Sequence, residues 1–430
     1  MSTINPSRHL AHVRYEIRGP LARRADELEK KGYDILKLNI GNPAAFGFRT
    51  PEAMRLAVIE NLREAEGYCH QKGIFPAREA VAAEAQNRGI RGVTADHVFI
   101  GNGVSELILM TLEALLEPGD EVLVPAPDYP LWTAAVALTG ATAVHYPCRP
   151  ENGFLPDPEE LERLVSPRCK ALVLINPNNP TGAVYPRAVL EALAAMARRH
   201  ALVCFADEIY DRILYDGATH VPFATVCDGV LCATFGGLSK VYRACGLRTG
   251  WVFFSGAREG AADYLNALEL LASLRLCANV PGQWAVQTAL GGTQSIHELT
   301  AKSGRLGRQR AAILRGVERS KHLELVSPRG ALYAFMRVAS PLPGFDDRTL
   351  AMELLEREHV LLVPGSSFNV PYSDHVRVTF LPEEETLDEV FVRLERLLDE
   401  WADGGIVPPS ASSARRGGGR GRAAGSADGG

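Results

Sequence analysis

Nowhere in this chain is there an apolar run approaching the roughly 20 residues a membrane-crossing helix needs, and its first residues lack the apolar core of a secretion signal. The eight cysteines (69, 148, 169, 204, 227, 232, 245 and 277) never form a Cys-x-x-Cys pair, and some lie inside apolar runs such as 202–205. That pattern speaks against a disulfide framework and for buried free thiols in a reducing compartment. A cytoplasmic location is expected. The eleven histidines are dispersed, no His-Glu-x-x-His occurs, and His9 with His12 lacks a third ligand. No metal site is expected. Gly-x-Ser-x-Gly is absent, which removes the nucleophile elbow of many hydrolases. A dinucleotide fingerprint begins at Gly101-Asn102-Gly103 but places Glu106 where a third small residue is required. A bulky anion there defeats a nicotinamide reading.

What is present is ordinary for a soluble protein: 46% apolar and 23% charged residues. At 430 residues the chain exceeds what one core holds, so two domains are expected. The net charge is −5, yet residues 404–430 carry four arginines and one acid, leaving about −8 for the rest. An acidic body argues against nucleic-acid binding. Residues 404–430 hold no aromatic and almost no bulky apolar side chain, so a disordered, solvated basic tail is expected. No internal repeat is visible.

Between residues 98 and 254 short apolar runs alternate with helical patterns. Strands are expected at 98–100, 121–124, 143–146, 171–175, 202–206, 230–235 and 250–254. Helices are expected at 104–116, 131–138, 158–164 and 188–199. This alternation predicts an α/β fold with a largely parallel sheet covered on both faces. Ligands of such sheets bind beyond the carboxyl ends of the strands. Five polar clusters follow strand ends, at 102–106, 128–129, 176–181, 207–210 and 236–240. Ahead of them, helices are expected at 21–31, 51–63 and 77–88. The later part mixes helices (256–276, 283–290, 295–319, 348–358, 384–401) with strands (324–327, 333–338, 360–363, 376–380), an α+β pattern suited to a smaller domain.

The densest chemistry lies in Thr234-Phe235-Gly236-Gly237-Leu238-Ser239-Lys240 and, eight residues on, Arg248. Glycines let backbone pass close to a ligand. A lysine in a dry pocket becomes a nucleophile toward a carbonyl. An arginine fork and a serine hydroxyl suit a phosphate. Together they ask for a ligand with an aldehyde at one end and a phosphate at the other, as in pyridoxal 5'-phosphate (PLP). The plainer reading is a surface lysine in a glycine-rich loop. Asp207 ends an apolar strand and suits a pyridinium nitrogen; a helix N-cap is its plainer role. Asn179 lies between two prolines in Asn176-Pro177-Asn178-Asn179-Pro180-Thr181-Gly182, where its amide would be aimed with little entropic cost. Gly103-Val104-Ser105-Glu106 opens a helix after a strand, where N–H groups and a hydroxyl bind phosphate. Arg377, inside an apolar strand, needs an anion, either an internal acid or a substrate carboxylate. Tyr129 would stack on a flat ring or simply pack in the core.

Over residues 8–401 these motifs resemble, in order, the class I/II aminotransferases, fold-type I PLP enzymes. In detail the chain is similar to bacterial glutamate–pyruvate (alanine) aminotransferases in 101–107, 124–132, 175–185, 205–211 and 275–281. The resemblance implies that Lys240 forms the Schiff base and shuttles a proton at the substrate α-carbon. It implies that Asp207 pairs with the pyridine nitrogen, Tyr210 with the ring hydroxyl, and that Tyr129 stacks on the ring. Ser105, Ser239 and Arg248 would hold the phosphate, with Glu106 beside them and Tyr68 arriving from the neighbouring subunit of a homodimer. Gly41 (through its backbone), Asn179 and Arg377 would hold the substrate carboxylate, with Tyr15 and Arg18 lining the site. One departure is Gly237, where many relatives carry a hydroxyl residue, so the phosphate grip is expected to rest on Ser239 and Arg248. The implied division is an N-terminal arm with part of the small domain (1–47), a large PLP-binding domain (48–295), a small domain (296–403) and the tail (404–430). The implied reaction is L-alanine plus 2-oxoglutarate to pyruvate plus L-glutamate by a ping-pong route. Its alternatives are transamination of another amino acid or a PLP-dependent β-lyase. A PLP-binding regulator would need a DNA-binding domain, for which the sequence shows no room before Gly41.

Overall fold

The structure is a computed structural model that describes residues 4–5, 10, 13, 19–339 and 342–406. The expected site residues Tyr15 and Arg18, and residues 407–430 of the expected tail, lie outside the described residues. The strands, in chain order, are β1 (Leu36–Lys37), β2 (Val98–Gly101), β3 (Glu121–Ala126), β4 (Thr142–Pro147), β5 (Cys169–Ile175), β6 (Val203–Asp207) and β7 (Leu231–Gly237). They continue with β8 (Gly250–Gly256), β9 (Leu323–Leu325), β10 (Tyr333–Val338), β11 (Val360–Leu361), β12 (Val363–Pro364) and β13 (His375–Thr379).

Seven strands form the large sheet in the order β2-β8-β7-β6-β5-β3-β4. Neighbours are parallel except at β8, which runs antiparallel to both β2 and β7. The inner strands are mostly buried because their side chains meet helices on both faces; every residue of β3 is buried, while Lys170 near the start of β5 is exposed. Edge strand β4 is partly exposed. One face packs Leu123, Leu172, Leu174 and Cys204 against the helix Arg187–Arg199 through Leu190, Leu193, Ala194 and Ala197, an i, i+3, i+4, i+7 stripe. The other face packs Val122, Val124, Val173 and Phe205 beneath Leu107, Ile108 and Trp132.

A second sheet, β12-β13-β10-β9, is antiparallel. Its register sets Tyr333 opposite Thr379 and Phe335 opposite Arg377. Tyr333 and Arg377 are therefore diagonal neighbours on one face. The helices Arg305–Arg319 and Glu384–Ala402 cover this sheet with amphipathic faces. β1 pairs in parallel with β11, which ties the early chain to the late chain.

Four expectations differ in detail. The helix expected at 256–276 begins only at Ala262, because β8 runs on to Gly256. The one expected at 295–319 breaks between Thr300 and Arg305. At Gly304 the chain crosses the carbonyls of Glu298 and Leu299 so closely that a Cβ would collide with them. The strand expected at 360–363 splits, β11 joining β1 and β12 joining β13. Ile406 is buried in the core, three residues into the expected tail. All eight cysteines are free, and among the described residues no helix is long and apolar enough to cross a membrane.

Candidate active site

The five polar clusters follow β2, β3, β5, β6 and β7, and these strands all point the same way. β8 points the other way, so its beginning lies at that same edge and brings Arg248 there. The reversed strand presses against the opening of the helix Val104–Glu113: a Cβ on Gly250 would come within 2.6 Å of the Val104 amide nitrogen.

Lys240 stands three residues past β7, and its Nζ donates to the Gly41 carbonyl at 2.6 Å. Gly41 also lies under Tyr333, whose hydroxyl a Cβ on Gly41 would strike. The Tyr333 hydroxyl is 3.1 Å from that of Tyr210, and both rings are buried. Burial, and after it the neighbouring Tyr333, holds the Tyr210 phenol well above its ordinary range, so it is protonated and able to donate.

Asp207 ends β6 and is buried. One oxygen accepts from Trp132 Nε1 at 3.2 Å, the other from the Ile209 amide at 3.3 Å. Burial pushes its carboxyl up to about 6, while Trp132, the Ile209 amide and the charge of Lys240 pull the other way. The Ile209 bond closes a turn; residues 209–212 form turns and no helix follows Asp207, so the N-cap alternative does not apply.

Arg377 is almost fully buried on β13. Its hydrogen bonds include Nη1 to the Asn179 amide oxygen at 3.1 Å and Nη2 to the Asn39 carbonyl. The guanidinium lies 4.4 Å from the ring centre of Tyr333 and 4.9 Å from that of Phe368. Asn179 is buried in a loop laced by Asn178, which accepts from both the amide and the hydroxyl of Thr181.

At the phosphate end, the helix Val104–Glu113 opens at Gly103 with φ +86° and no side-chain cap, which leaves first-turn N–H groups for an anion. Ser105 lies in that first turn, half-buried. Arg248 donates to the carbonyls of Asn102 (3.2 Å) and Cys245 (3.1 Å), and a Cβ on Gly103 would run into its guanidinium. Ser239 is half-buried in the loop after β7. Gly237 has its reason: a side chain there would crowd Gly250, Thr249 and Ile209, all within 3.2 Å.

Glu106 lies in the same first helical turn as Ser105, half-buried. Its carboxylate accepts from the Asn102 amide (2.7 Å) and side chain (2.8 Å) and lies 3.6 Å from Arg275. It shapes the loop. Tyr129 is half-buried three residues past β3 and packs against the apolar clusters on both faces of the sheet. Tyr68 is 81% exposed, with its loop held against the helix Ala262–Leu274 by Gln71 and Lys72 on Glu269.

Sequence reasoning gave no role to Trp132, Tyr333, Phe368 or Asn279. Trp132 lies in the expected helix 131–138, Tyr333 opens the expected strand 333–338, and Phe368 lies in no expected element. Asn279 bridges Asn102 and Leu247 by two hydrogen bonds, and its place in the stretch 275–281 is the one signal in the sequence that points to it. Among the described residues one group with metal-capable atoms exists, His322, Glu395 and Asp399, but Asp399 already pairs with His322 and Lys321.

This set of groups suits PLP. A buried carboxylate held up to about 6 gains by meeting a cation such as a protonated pyridine. An uncapped helix end beside an arginine suits a phosphate. A lysine on a backbone carbonyl at the same edge of the sheet suits an aldehyde.

Such groups at the carboxyl edge of such a sheet fit the class of PLP-dependent enzymes. The chain belongs to the family described as Aminotransferase class I and II, whose profile matches residues 33–394. It is 48% identical over 402 residues to the glutamate-pyruvate aminotransferase AlaA of Escherichia coli (strain K12), which covers 93% of this chain and 99% of that protein. It is 47% identical to an alanine aminotransferase of Mycobacterium tuberculosis (strain H37Rv), over 91% of this chain and 92% of the relative. A crystal structure of an aminotransferase from Escherichia coli superposes with a TM-score of 0.92 at 47% identity, covering 93% of this chain and all of that one.

Proposed function

We propose that this aminotransferase uses PLP to move the amino group of L-alanine to 2-oxoglutarate, yielding pyruvate and L-glutamate in two half-reactions. The observation that carries the proposal is Lys240, held 2.6 Å from the Gly41 carbonyl at the strand edge that also bears Asp207 and adjoins Arg377. The names of the relatives support the substrate pair. When bound, the cofactor supplies an aldehyde that takes up the amino group and a ring that draws off electrons. Lys240 moves a proton at the substrate α-carbon. Asp207 keeps the ring nitrogen protonated, Tyr210 donates to the ring oxygen, and Tyr129 lies against the ring. Ser105, Ser239 and Arg248 grip the phosphate. Arg377 and Asn179, with the Gly41 backbone, grip the substrate carboxylate.

The working unit in this proposal is a cytoplasmic homodimer. Tyr68 is exposed on a loop whose Gln71 carbonyl meets Arg275, and Arg275 lines a groove with Leu109, Leu138, Leu271 and Leu274; a second copy would cover that groove while Tyr68 reaches that copy's phosphate. The proposed division follows the two sheets: residues 48–295 hold the cofactor, and 296–403 with part of 1–47 close over the substrate.

The test is the visible absorption of the purified protein with PLP. A band that bleaches with L-alanine alone and returns with 2-oxoglutarate supports both cofactor and substrates. A band that ignores alanine removes the substrate assignment; product analysis with other amino acids and a cysteine-type substrate then separates another aminotransferase from a β-lyase. No band removes the cofactor assignment.

A further inference from the structure

Tyr333 touches three of the groups to which the proposed function gives work. Its hydroxyl lies 3.1 Å from that of Tyr210. The same hydroxyl sits over Gly41, the residue that accepts from Lys240, in space open only because Gly41 has no side chain. Its ring carries the Arg377 guanidinium at 4.4 Å, and the register of β10 against β13 makes the two diagonal neighbours. A core tyrosine needs one hydrogen-bond partner and a close-packed ring. Serving a phenol, a lysine's resting place and a buried cation together asks for more than packing.

We infer that Tyr333 is a positioning residue with two separable parts: its hydroxyl donates to the Tyr210 oxygen, and its ring seats Arg377. The inference rests on the proposed function. Tyr210 has a single O–H. If that proton points to the cofactor ring oxygen, the proton between the two phenols belongs to Tyr333. A phenol that accepts one hydrogen bond donates another more strongly. Tyr333 thus strengthens Tyr210's hold on the ring oxygen and favours the deprotonated form of that oxygen. The ring acts on a different group. An aromatic face attracts a desolvated guanidinium and fixes the plane in which Arg377 presents its paired donors to a carboxylate.

Two substitutions divide these parts. Tyr333→Phe keeps the ring and removes the hydroxyl. The pH midpoint of the bound cofactor's visible absorption is expected to move up by about 0.5–1 unit, from the loss of one neutral hydrogen bond. The Kd for PLP, read by quenching of protein fluorescence in the apoprotein, is expected to rise about threefold or more. Binding of succinate, a dicarboxylate that cannot react, is expected to change by less than about twofold, because the seat of Arg377 is intact. Tyr333→Leu removes both parts and is expected to weaken succinate about fivefold in addition. If Tyr333→Phe leaves the midpoint and the PLP Kd at the parental values, the hydroxyl has no such part. If both variants weaken succinate equally, the ring has none. A parent protein that forms no visible band with PLP overturns the proposed function itself, and the inference with it.

Discussion

Lys240 and Arg377 are two basic side chains brought into one small volume, both next to groups that Tyr333 touches. Lys240 rests on a backbone carbonyl, 2.6 Å away, a partner that leaves the amine free to be exchanged for a covalent one. Removing it in Lys240→Ala takes away the one group that, among the described residues, donates its side chain to that carbonyl and can both bond an aldehyde and carry a proton. Turnover is expected to fall by at least about 10⁴-fold, with loss of the visible band formed with PLP. Sustained multiple turnover by this variant in a steady-state assay would sink the assignment. Arg377 is held by Asn179, by Asn39 and between two aromatic faces, so its plane is fixed before any substrate arrives. Lysine at 377 would keep the charge and lose the fork. The KM for L-alanine and for 2-oxoglutarate is expected to rise about 10- to 100-fold in Arg377→Lys, the range for hydrogen bonds to a charged group. Kinetics with an unchanged KM for either substrate would move the carboxylate elsewhere.

The pieces of secondary structure matter because they aim these residues at one edge. The opening of the helix Val104–Glu113, the start of β8 and Arg248 touch one another, and Gly103 and Gly250 are the contact points. Gly103 adopts φ +86°, which a side chain resists, and its missing Cβ is where the Arg248 guanidinium passes. Gly103→Ala is therefore expected to displace Arg248 and cost about 1 kcal/mol or more in stability. The phosphate grip should loosen with it, seen as a Kd for PLP raised about tenfold when the apoprotein is titrated. Unaltered PLP affinity would mean that Arg248 does not serve the phosphate. Much of this edge was legible beforehand, because each polar cluster followed a buried apolar run and such runs end at one edge in a parallel sheet. The reversal of β8 was not legible, since a run such as Trp251-Val252-Phe253-Phe254 carries no sign of direction. Tyr333 and Trp132 stayed hidden for a related reason. An aromatic in an apolar strand or helix reads as core, and only the tertiary register shows that one meets Arg377 and the other Asp207. Glu106 was legible as a poor dinucleotide ligand, but its bonds to Asn102 depend on how the loop folds back.

On the scale of the whole molecule, the same crowding that builds the site buries acids the proposed reaction does not use. Glu208 follows Asp207 and is buried against the Phe223 amide, which donates to it at 2.8 Å, and His220, 3.7 Å away. Arg88 faces the pair from just past the helix Phe75–Asn87, 3.0 Å from His220, and Asp211 faces it from the turn after β6, 2.7 Å from Arg88. Burial outweighs the pull of Arg88 and pushes the Glu208 carboxyl from 4.5 up to about 8; burial likewise pushes His220 down to about 4. Between those values the folded protein holds a neutral acid beside a neutral imidazole. The consequences for stability have opposite signs. Between about 4.5 and 8 the folded chain binds the Glu208 proton and the unfolded chain does not, so this group's stabilisation is full below 4.5 and is lost as pH rises through 8. For His220 the unfolded chain binds the extra proton, so stability rises with pH between about 4 and 6.5. Glu208→Gln separates the two. An amide is a permanent mimic of the protonated acid and leaves His220 in place. Relative to the parent, the variant's unfolding temperature is expected to gain little at pH 5 and several degrees at pH 8, following a linkage on the order of a few kcal/mol. A difference between variant and parent that stays flat from pH 5 to 8 in thermal unfolding would mean that Glu208 keeps its charge in the fold. Arg88, rather than a held proton, would then be what makes its burial tolerable.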